Sequence, residues 1–330
     1  MNVRKPVALY YSILKYQPEN RKRLDELFEV VELADPSLDT AEILSRVEII
    51  FAPLGYLVDQ AKIDAAPLLK VIASNTTGHP HIDVGYARGK GIQVACLKYA
   101  QEFLSTITPT AELTWGLIIA LTRNLLQAHQ AAVQGCWDRR PFGAPAMLSR
   151  LSLGIVGLGR LGSRVARYGR VFGMAVRYYD PFVDSKEEGL ERMASLKELV
   201  AKSDIVTIHV PHEPETENLF DQEIFRCFKK GSYLINTARG ELIDWGAFLQ
   251  ALEDGQLAGA ALDVFEGEFE PGFKDRFPSH PVLDYARSHH NLILTPHIGG
   301  STIDAWRLTE GHTIDMIQSF LQTDKEDQNG

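Results

Sequence analysis

Hydrophobic positions along this chain fall into short runs rich in β-branched and aromatic residues, separated by longer stretches of helical period. In the first third the runs are VALYYS, VVELAD, VEIIFAP, KVIASN and IQVACL. Further on come LGIVGLG, AVRYYD, IVTIHV, SYLINTA, AGAALDVF and NLILTPH. Strand-like runs alternating with helical stretches are the signature of βαβ units and parallel sheets. The pattern predicts an α/β protein with two doubly wound parallel-sheet units, one over about 1–103 and one from about 151 to 297. Between them, residues 111–126 (AELTWGLIIALTRNLL) are apolar for 16 positions. That is short for a membrane span and contains Glu112 and Arg123, so it predicts a buried helix linking the domains. Beyond His297, STIDAWRLTEGHTIDMIQSFLQ predicts one helix. Ser301 would be its N-cap, Asp304 would favour its dipole, and Ile303, Trp306, Ile314, Ile317 and Leu321 would form its apolar face. The polar tail, residues 324–330, is expected to be disordered.

Composition narrows the function. The chain has 330 residues, too many for one ordinary core, with 45% hydrophobic and 23% charged positions. Lys plus Arg number 34 against 43 Asp plus Glu, a formal charge of -9. An acidic balance argues against a nucleic-acid partner, yet a single local Arg can still hold an anionic small molecule. Cys96, Cys136 and Cys227 form no CxxC pair, so no metal site is expected and the thiols should be buried or inert in a reducing compartment. The opening MNVRKPVALYYS has only a short apolar run. It reads as neither signal peptide nor membrane anchor, and a cytoplasmic protein with no membrane partner is expected.

Chemistry enters at LGIVGLGRLG, where an apolar run leads into Gly157-x-Gly159-x-x-Gly162 and a helical pattern. Gly157 permits the tight turn, Gly159 lets backbone approach a pyrophosphate, and Gly162 lets the helix pack on the strand. Arg160 and Leu161 complete the helix N-terminus, whose free N–H groups and dipole favour the anion. The spacing alone is a weak signal, but the next strand, AVRYYD, ends in Asp180, 18 residues beyond Gly162. An acid there accepts hydrogen bonds from ribose hydroxyls and repels a 2′-phosphate. Arg177 lies within the strand rather than after it, so the expected cofactor is NAD, not NADP. The plain alternative for Asp180 is a turn residue before Pro181. Three more runs, INTARG, ALDVFEGE and LTPHIGGST, each end in a charged or titratable residue. Ends of parallel strands converge where ligands bind, which makes Arg239, Glu268 and His297 candidate neighbours. Taken singly, each could be a turn or loop residue, and Glu266 competes with Glu268.

Together these motifs, with LLKVIASNTTGHPHIDV, AELTWGL, HVPHEPET and LDVFE in this order, resemble the D-isomer-specific 2-hydroxy acid dehydrogenases over most of the chain. The resemblance implies a flavodoxin-like catalytic domain at 1–103 and 298–330 around a Rossmann cofactor domain at 104–297. It implies an enzyme that interconverts a 2-oxo acid and a D-2-hydroxy acid with NAD. Arg239 would grip the substrate carboxylate with a planar fork that Lys cannot copy. His297 would be the general acid in reduction and the base in reverse, with Glu268 as its partner; a nearby carboxylate stabilises an imidazolium. His209, Pro211, Thr237, Ala238 and Asp263 would line the dinucleotide, Asp263 meeting the nicotinamide carboxamide. Gly299 and Gly300 would give close approach beside His297. The loop Asn75, Thr76, Thr77 and Gly78 would hold the substrate carboxylate through backbone N–H groups, and Leu54, Gly55 and Tyr56 would help set specificity. A homodimer formed through the cofactor domain is implied, with Trp115, Leu117 and Trp137 as candidate interface residues.

Three departures from the family pattern bear on the substrate. Ala73-Ser74-Asn75-Thr76-Thr77 stands where glycine, arginine and small residues are common. His212 replaces an aliphatic residue after HVP. The segment between Glu268 and His297 is long and polar; its His280, His289 and His290 are expected to be solvated loop residues rather than metal ligands. A competing function on the same fold is an NAD(H)-sensing corepressor-like binding protein. A formate dehydrogenase-like enzyme is disfavoured by Glu268, and a methyltransferase leaves NTARG and TPH unexplained.

Overall fold

The structure, a computed structural model, describes residues 4–270 and 272–327. Twelve strands form two wholly parallel sheets. The first sheet has β1 Val7–Tyr11, β2 Glu29–Leu33, β3 Ile49–Phe51, β4 Val71–Ser74 and β5 Gln93–Cys96 in the order β2-β1-β3-β4-β5. The second has β6 Ser152–Val156, β7 Ala175–Tyr179, β8 Leu190–Arg192, β9 Ile205–Ile208, β10 Ser232–Asn236, β11 Leu257–Leu262 and β12 Leu292–Leu294. Its order is β12-β11-β10-β9-β6-β7-β8. This is the expected α/β class. The central runs are buried at every position, as in VALYY and SLGIV, because helices cover both faces of a parallel sheet. One strand was absent from the expected pattern: β8 has three residues, LER, at the sheet edge, too short and polar to register as a run.

Two compact units contain these sheets. One comprises the described residues up to Ile107, Phe269 and Glu270, and those from Ser301 onward; the other is Thr108–Glu268 with Gly272–Gly300. Residues 104–107 are tied backward, Leu104 N–H to the Ala100 carbonyl and Ile107 N–H to that of Leu104. Residues 298 and 299 are held by Asp263. Local hydrogen bonds thus move both divisions three or four residues from the expected 103 and 297.

Several expectations are corrected. The apolar stretch is not one helix: Pro109–Thr122 is helical and packed in the second unit, but Asn124 turns left-handed at φ 50°. A separate helix, Leu125–Val133, follows, and Leu125 and Leu126 are exposed. Trp115 and Leu117 are buried in the second unit's own core, Trp115 stacked on Phe172 at 4.7 Å, so they offer no interface; Trp137 is 95% exposed. The last helix, Ile303–Asp327, is capped by Thr302, whose Oγ1 accepts from Ala305 N–H at 3.3 Å, rather than by Ser301. Ile314 and Ile317 are buried as expected, whereas Ile303 and Trp306 are exposed. In their place Glu310 is buried, accepting from Gln17 N–H at 2.8 Å and Asn20 Nδ2 at 3.0 Å. The expected disordered tail is helical through Asp327, and residues 328–330 lie outside the described residues. Cys96 is buried, but Cys136 is exposed. His280 is no loop residue: it caps the helix Pro281–Ser288 and packs edge-on against Phe265 at 4.7 Å.

Candidate active site

In the second unit the site residues follow the last paired residue of each strand, where backbone leaves the ladder and side chains are free to point outward. After β6 the chain turns at Gly157, φ 87°, and a Cβ there would meet Val210 at 2.6 Å and the His209 carbonyl at 2.9 Å. A Cβ on Gly162 would stand 2.0 Å from the Gly157 carbonyl oxygen, so helix and turn touch as only glycine allows. At Gly159 the same test finds nothing within 4 Å. Open space therefore lies over the N-terminus of the helix Arg160–Val171, with Arg160 and Leu161 half-buried beside it. Free N–H groups at a helix start and room for a large anion fit a dinucleotide pyrophosphate. Burial and the neighbouring Arg164 push the Arg160 pKa down from its very high ordinary value.

Asp180 follows β7 and is buried. Its Oδ2 accepts from Leu158 N–H at 2.8 Å; its Oδ1 accepts from Phe182 N–H at 2.8 Å and Val183 N–H at 3.0 Å. It is thus more than a turn residue: it fixes the glycine turn and holds a negative charge at the end of β7. His209, after β9, turns its ring inward. Nε2 lies 3.0 Å from Thr207 Oγ1, and burial pushes the imidazole down to about 3. What it presents at Gly157 is backbone carbonyl, with Pro211 exposed beyond it.

After β10, Asn236 shapes the turn that carries Arg239. Its Nδ2 donates to the Arg239 carbonyl at 2.7 Å and its Oδ1 accepts from Ala238 N–H at 2.9 Å. Thr237 is buried, its hydroxyl 2.9 Å from that of Thr114. The Arg239 guanidinium donates to the Ala238 carbonyl at 2.6 Å and makes no ion pair among the described residues. Gly240 packs this turn directly on the next one: a Cβ there would lie 2.1 Å from the Phe265 carbonyl carbon. Asn236 and Gly240 were not singled out from sequence. The NTARG spacing carried the signal, but only the close approach explains it.

Asp263, after β11, is 1% exposed. Its Oδ1 accepts from Thr295 Oγ1 at 2.6 Å and Ile298 N–H at 2.9 Å; its Oδ2 accepts from Gly299 N–H at 2.7 Å. Its backbone carbonyl accepts from His297 N–H at 2.9 Å. One residue therefore binds the whole loop after β12, and it holds His297 at φ 52°, a left-handed backbone rare outside glycine. Gly299 is buried, and a Cβ there would meet Asp263 Oδ2 at 2.8 Å; Gly300 has open space. Held this way, His297 Nδ1 sits 2.8 Å from Glu268 Oε1, with the Glu268 side chain 12% exposed and that of His297 32%. Glu266, the competing carboxylate, lies 3.7 Å from His280 Nε2 instead. Since the Glu268 carboxylate can only accept, Nδ1 carries a proton, and Nε2 is the ring nitrogen turned away from Glu268.

In the first unit, Leu54, Gly55 and Tyr56 follow β3, with Gly55 at φ 83°, and Asn75 through Gly78 follow the adjacent β4. Thr77 is exposed and Asn75 half-buried. The Thr76 hydroxyl is turned inward, donating to the Gly78 carbonyl at 2.6 Å. The expected residues thus follow the carboxyl ends of two adjacent interior strands of the first sheet.

Comparison with known proteins gives the family. Residues 115–299 match the family of the D-isomer specific 2-hydroxyacid dehydrogenase NAD binding domain. The chain is 40% identical to a glyoxylate reductase from Thermofilum pendens, over 75% of this chain and 70% of that one. A D-lactate dehydrogenase from Aquifex aeolicus, solved with NAD and lactic acid, superposes with a TM-score of 0.83 at 29% identity over 97% of this chain and 96% of the other. An NADPH-dependent glyoxylate/hydroxypyruvate reductase from Sinorhizobium meliloti has a TM-score of 0.81 at 26% identity, covering 97% and 96%. The glycine turn, the strand-end residues and these likenesses converge: the chain belongs to the D-isomer-specific 2-hydroxy acid dehydrogenases.

Proposed function

We propose that this chain is a 2-oxo acid reductase that uses NADH in preference to NADPH, with Arg239, Glu268 and His297 as its catalytic group. The observation that carries this is the 2.8 Å pairing of His297 Nδ1 with Glu268 on a loop clamped by Asp263. Nicotinamide, when bound, supplies the hydride. The remaining work belongs to this chain. His297 Nε2 delivers a proton to the substrate carbonyl oxygen during reduction and recovers it in the reverse direction, while Glu268 holds the ring's orientation and stabilises its charge. Arg239, paired with no carboxylate among the described residues, grips the substrate carboxylate with two parallel N–H bonds. In the first unit, Asn75 through Gly78 offer backbone N–H groups to a carboxylate, and Leu54 through Tyr56 set which side chain is accepted. Gly157, Gly159 and Gly162 cradle the pyrophosphate. Asp180, fixed by three backbone N–H groups, keeps lone pairs for the ribose hydroxyls and repels a 2′-phosphate. A small 2-oxo acid is the substrate class, in keeping with the glyoxylate and lactate in the names of its relatives.

The test is loss of NADH or NADPH absorbance with a panel of 2-oxo acids, from glyoxylate and hydroxypyruvate to branched and aromatic ones. Wild type should turn over at least one of them, faster with NADH. His297→Ala should lower kcat by about 10²- to 10⁴-fold, the usual worth of a general acid. Turnover that survives the substitution would remove the histidine from its role. No turnover with any member of the panel, joined to NADH-dependent binding of a protein partner, would favour the sensor instead.

A further inference from the structure

The polar residues that depart from the family pattern after β4 are joined to one another beneath the loop. Thr76 Oγ1 gives its only proton to the Gly78 carbonyl at 2.6 Å. The Ser74 hydroxyl, 2.8 Å from Thr76 Oγ1, must therefore donate to it. Ser74 Oγ then accepts from His81 Nε2 at 3.2 Å, which assigns the ring proton to Nε2. His81 is 3% exposed, and burial, reinforced by His79, pushes its imidazole down to about 4 against a smaller opposite pull from the Ala52 carbonyl. At neutral pH the chain of donors thus runs in one direction, imidazole to Ser74 to Thr76 to Gly78.

The same histidine reaches the other loop. Its backbone carbonyl accepts from Val58 N–H at 2.8 Å, and Ile82 pairs with Val58 as an isolated parallel bridge. Ala52, the first residue after β3, donates its N–H to the Ala73 carbonyl of β4 at 2.8 Å and leads into Leu54, Gly55 and Tyr56. The segment 54–56 is therefore preceded by a residue bonded to β4 and followed by one bonded to His81. We propose that His81 is a positioning residue for substrate binding: its neutral ring and its backbone fix the Leu54–Tyr56 and Asn75–Gly78 loops together. A hydroxyl relay here supplies the rigidity of a turn that carries Asn and Thr side chains. This rests on the reading that these loops contact the 2-oxo acid.

His81→Leu keeps the bulk of the ring and removes the donor; His81→Gln places an amide N–H at similar reach. Three readouts are needed: deuterium exchange of loop amides, KM for the 2-oxo acid, and the Kd of NADH. The Leu variant should exchange about 10-fold faster at 54–56 and 75–78 and raise KM about 10-fold, with NADH affinity unchanged within about 2-fold. The Gln variant should recover most of both effects. Unchanged exchange and KM in the Leu variant would overturn the proposal. So would an NADH affinity that falls in step with KM, since that reports general damage. If wild type reduces no 2-oxo acid while the Leu variant still loosens both loops, the catalytic reading fails and the coupling of the loops stands. Should His81→Leu not fold, Thr76→Val breaks the relay at its far end and is read in the same way.

Discussion

The ends of the two sheets are built from opposite chemistry. In the second unit, buried carboxylates hold backbone: Asp180 clamps the glycine turn, and Asp263 clamps the loop bearing His297. In the first unit the corresponding work falls to neutral groups, Ser74, Thr76 and His81. Hydrogen bonds to a charged acceptor are roughly twice as strong as neutral ones. Such strength is required where His297 sits in a left-handed backbone that costs about 1–3 kcal/mol and must still meet Glu268. A loop proposed to recognise a carboxylate through its backbone asks for less, and a neutral relay can be altered without stranding a buried charge. On the proposed function, the comparison teaches that proton transfer is mounted on fixed charge, whereas substrate binding is mounted on a neutral hydroxyl relay.

The most severe way to break this contrast is Asp263→Asn. An amide NH₂ would replace an oxygen that faces N–H donors from Ile298 and Gly299 or the hydroxyl of Thr295. At least one buried donor then meets another donor. The expected cost is about 4 kcal/mol of stability, with turnover lowered at least about 100-fold as His297 leaves its position. Thermal melting and kcat read the two effects. A normal melt with normal turnover would show that the clamp is no stronger than the neutral relay.

Acid titration sharpens the other side. His81 is neutral in the fold, with a pKa of about 4, whereas a free histidine titrates near 6.5. A group whose folded value is depressed contributes stability above the unfolded value, and that stability is lost as pH falls from about 6.5 towards 4. The loss from this ring should reach about 3 kcal/mol. His209, pushed to about 3, contributes a similar acid sensitivity in the second unit. Melting curves between pH 7 and 4 should fall steeply for wild type and less steeply for His81→Leu. Parallel curves would mean that the ring is already charged in the fold and the direction of the relay is wrong.

Much of this architecture was legible in sequence, and the parts that were not share a cause. The apolar runs named eleven of the twelve strands because both faces of a parallel sheet are buried, and β8 escaped because an edge strand of three residues has no such signature. Motif spacing brought out Gly157, Asp180, Arg239 and His297, since each must follow a strand end. Pairwise hydrogen bonds are another matter. EGE by itself does not separate Glu268 from Glu266; the family's offset from LDVF favours Glu268, and the fold puts it at His297 and Glu266 near His280. Nothing in LDVF says that Asp263 spends both oxygens on the loop after β12. Ile303 and Trp306 fit the apolar stripe of the last helix but are exposed, and the helix buries Thr309, Glu310 and Thr313 alongside Ile314 and Ile317. Period identifies a face; it does not say what the face will meet.

The gentlest test of the contrast is Ser74→Ala. It removes one hydroxyl from the middle of the relay and leaves no charge behind. His81 Nε2 and Thr76 Oγ1 lose a partner, but Thr76 keeps its bond to the Gly78 carbonyl. A neutral hydrogen bond is worth about 1 kcal/mol net, so the melting midpoint should move only slightly and KM for the 2-oxo acid should rise about 5-fold. Turnover at saturation should hold, because Arg239, Glu268 and His297 lie on the other sheet's strand ends. A fall in kcat comparable to that of Asp263→Asn would erase the distinction between the two edges. The hydroxyl relay would then be as deeply built into proton transfer as the carboxylate clamp.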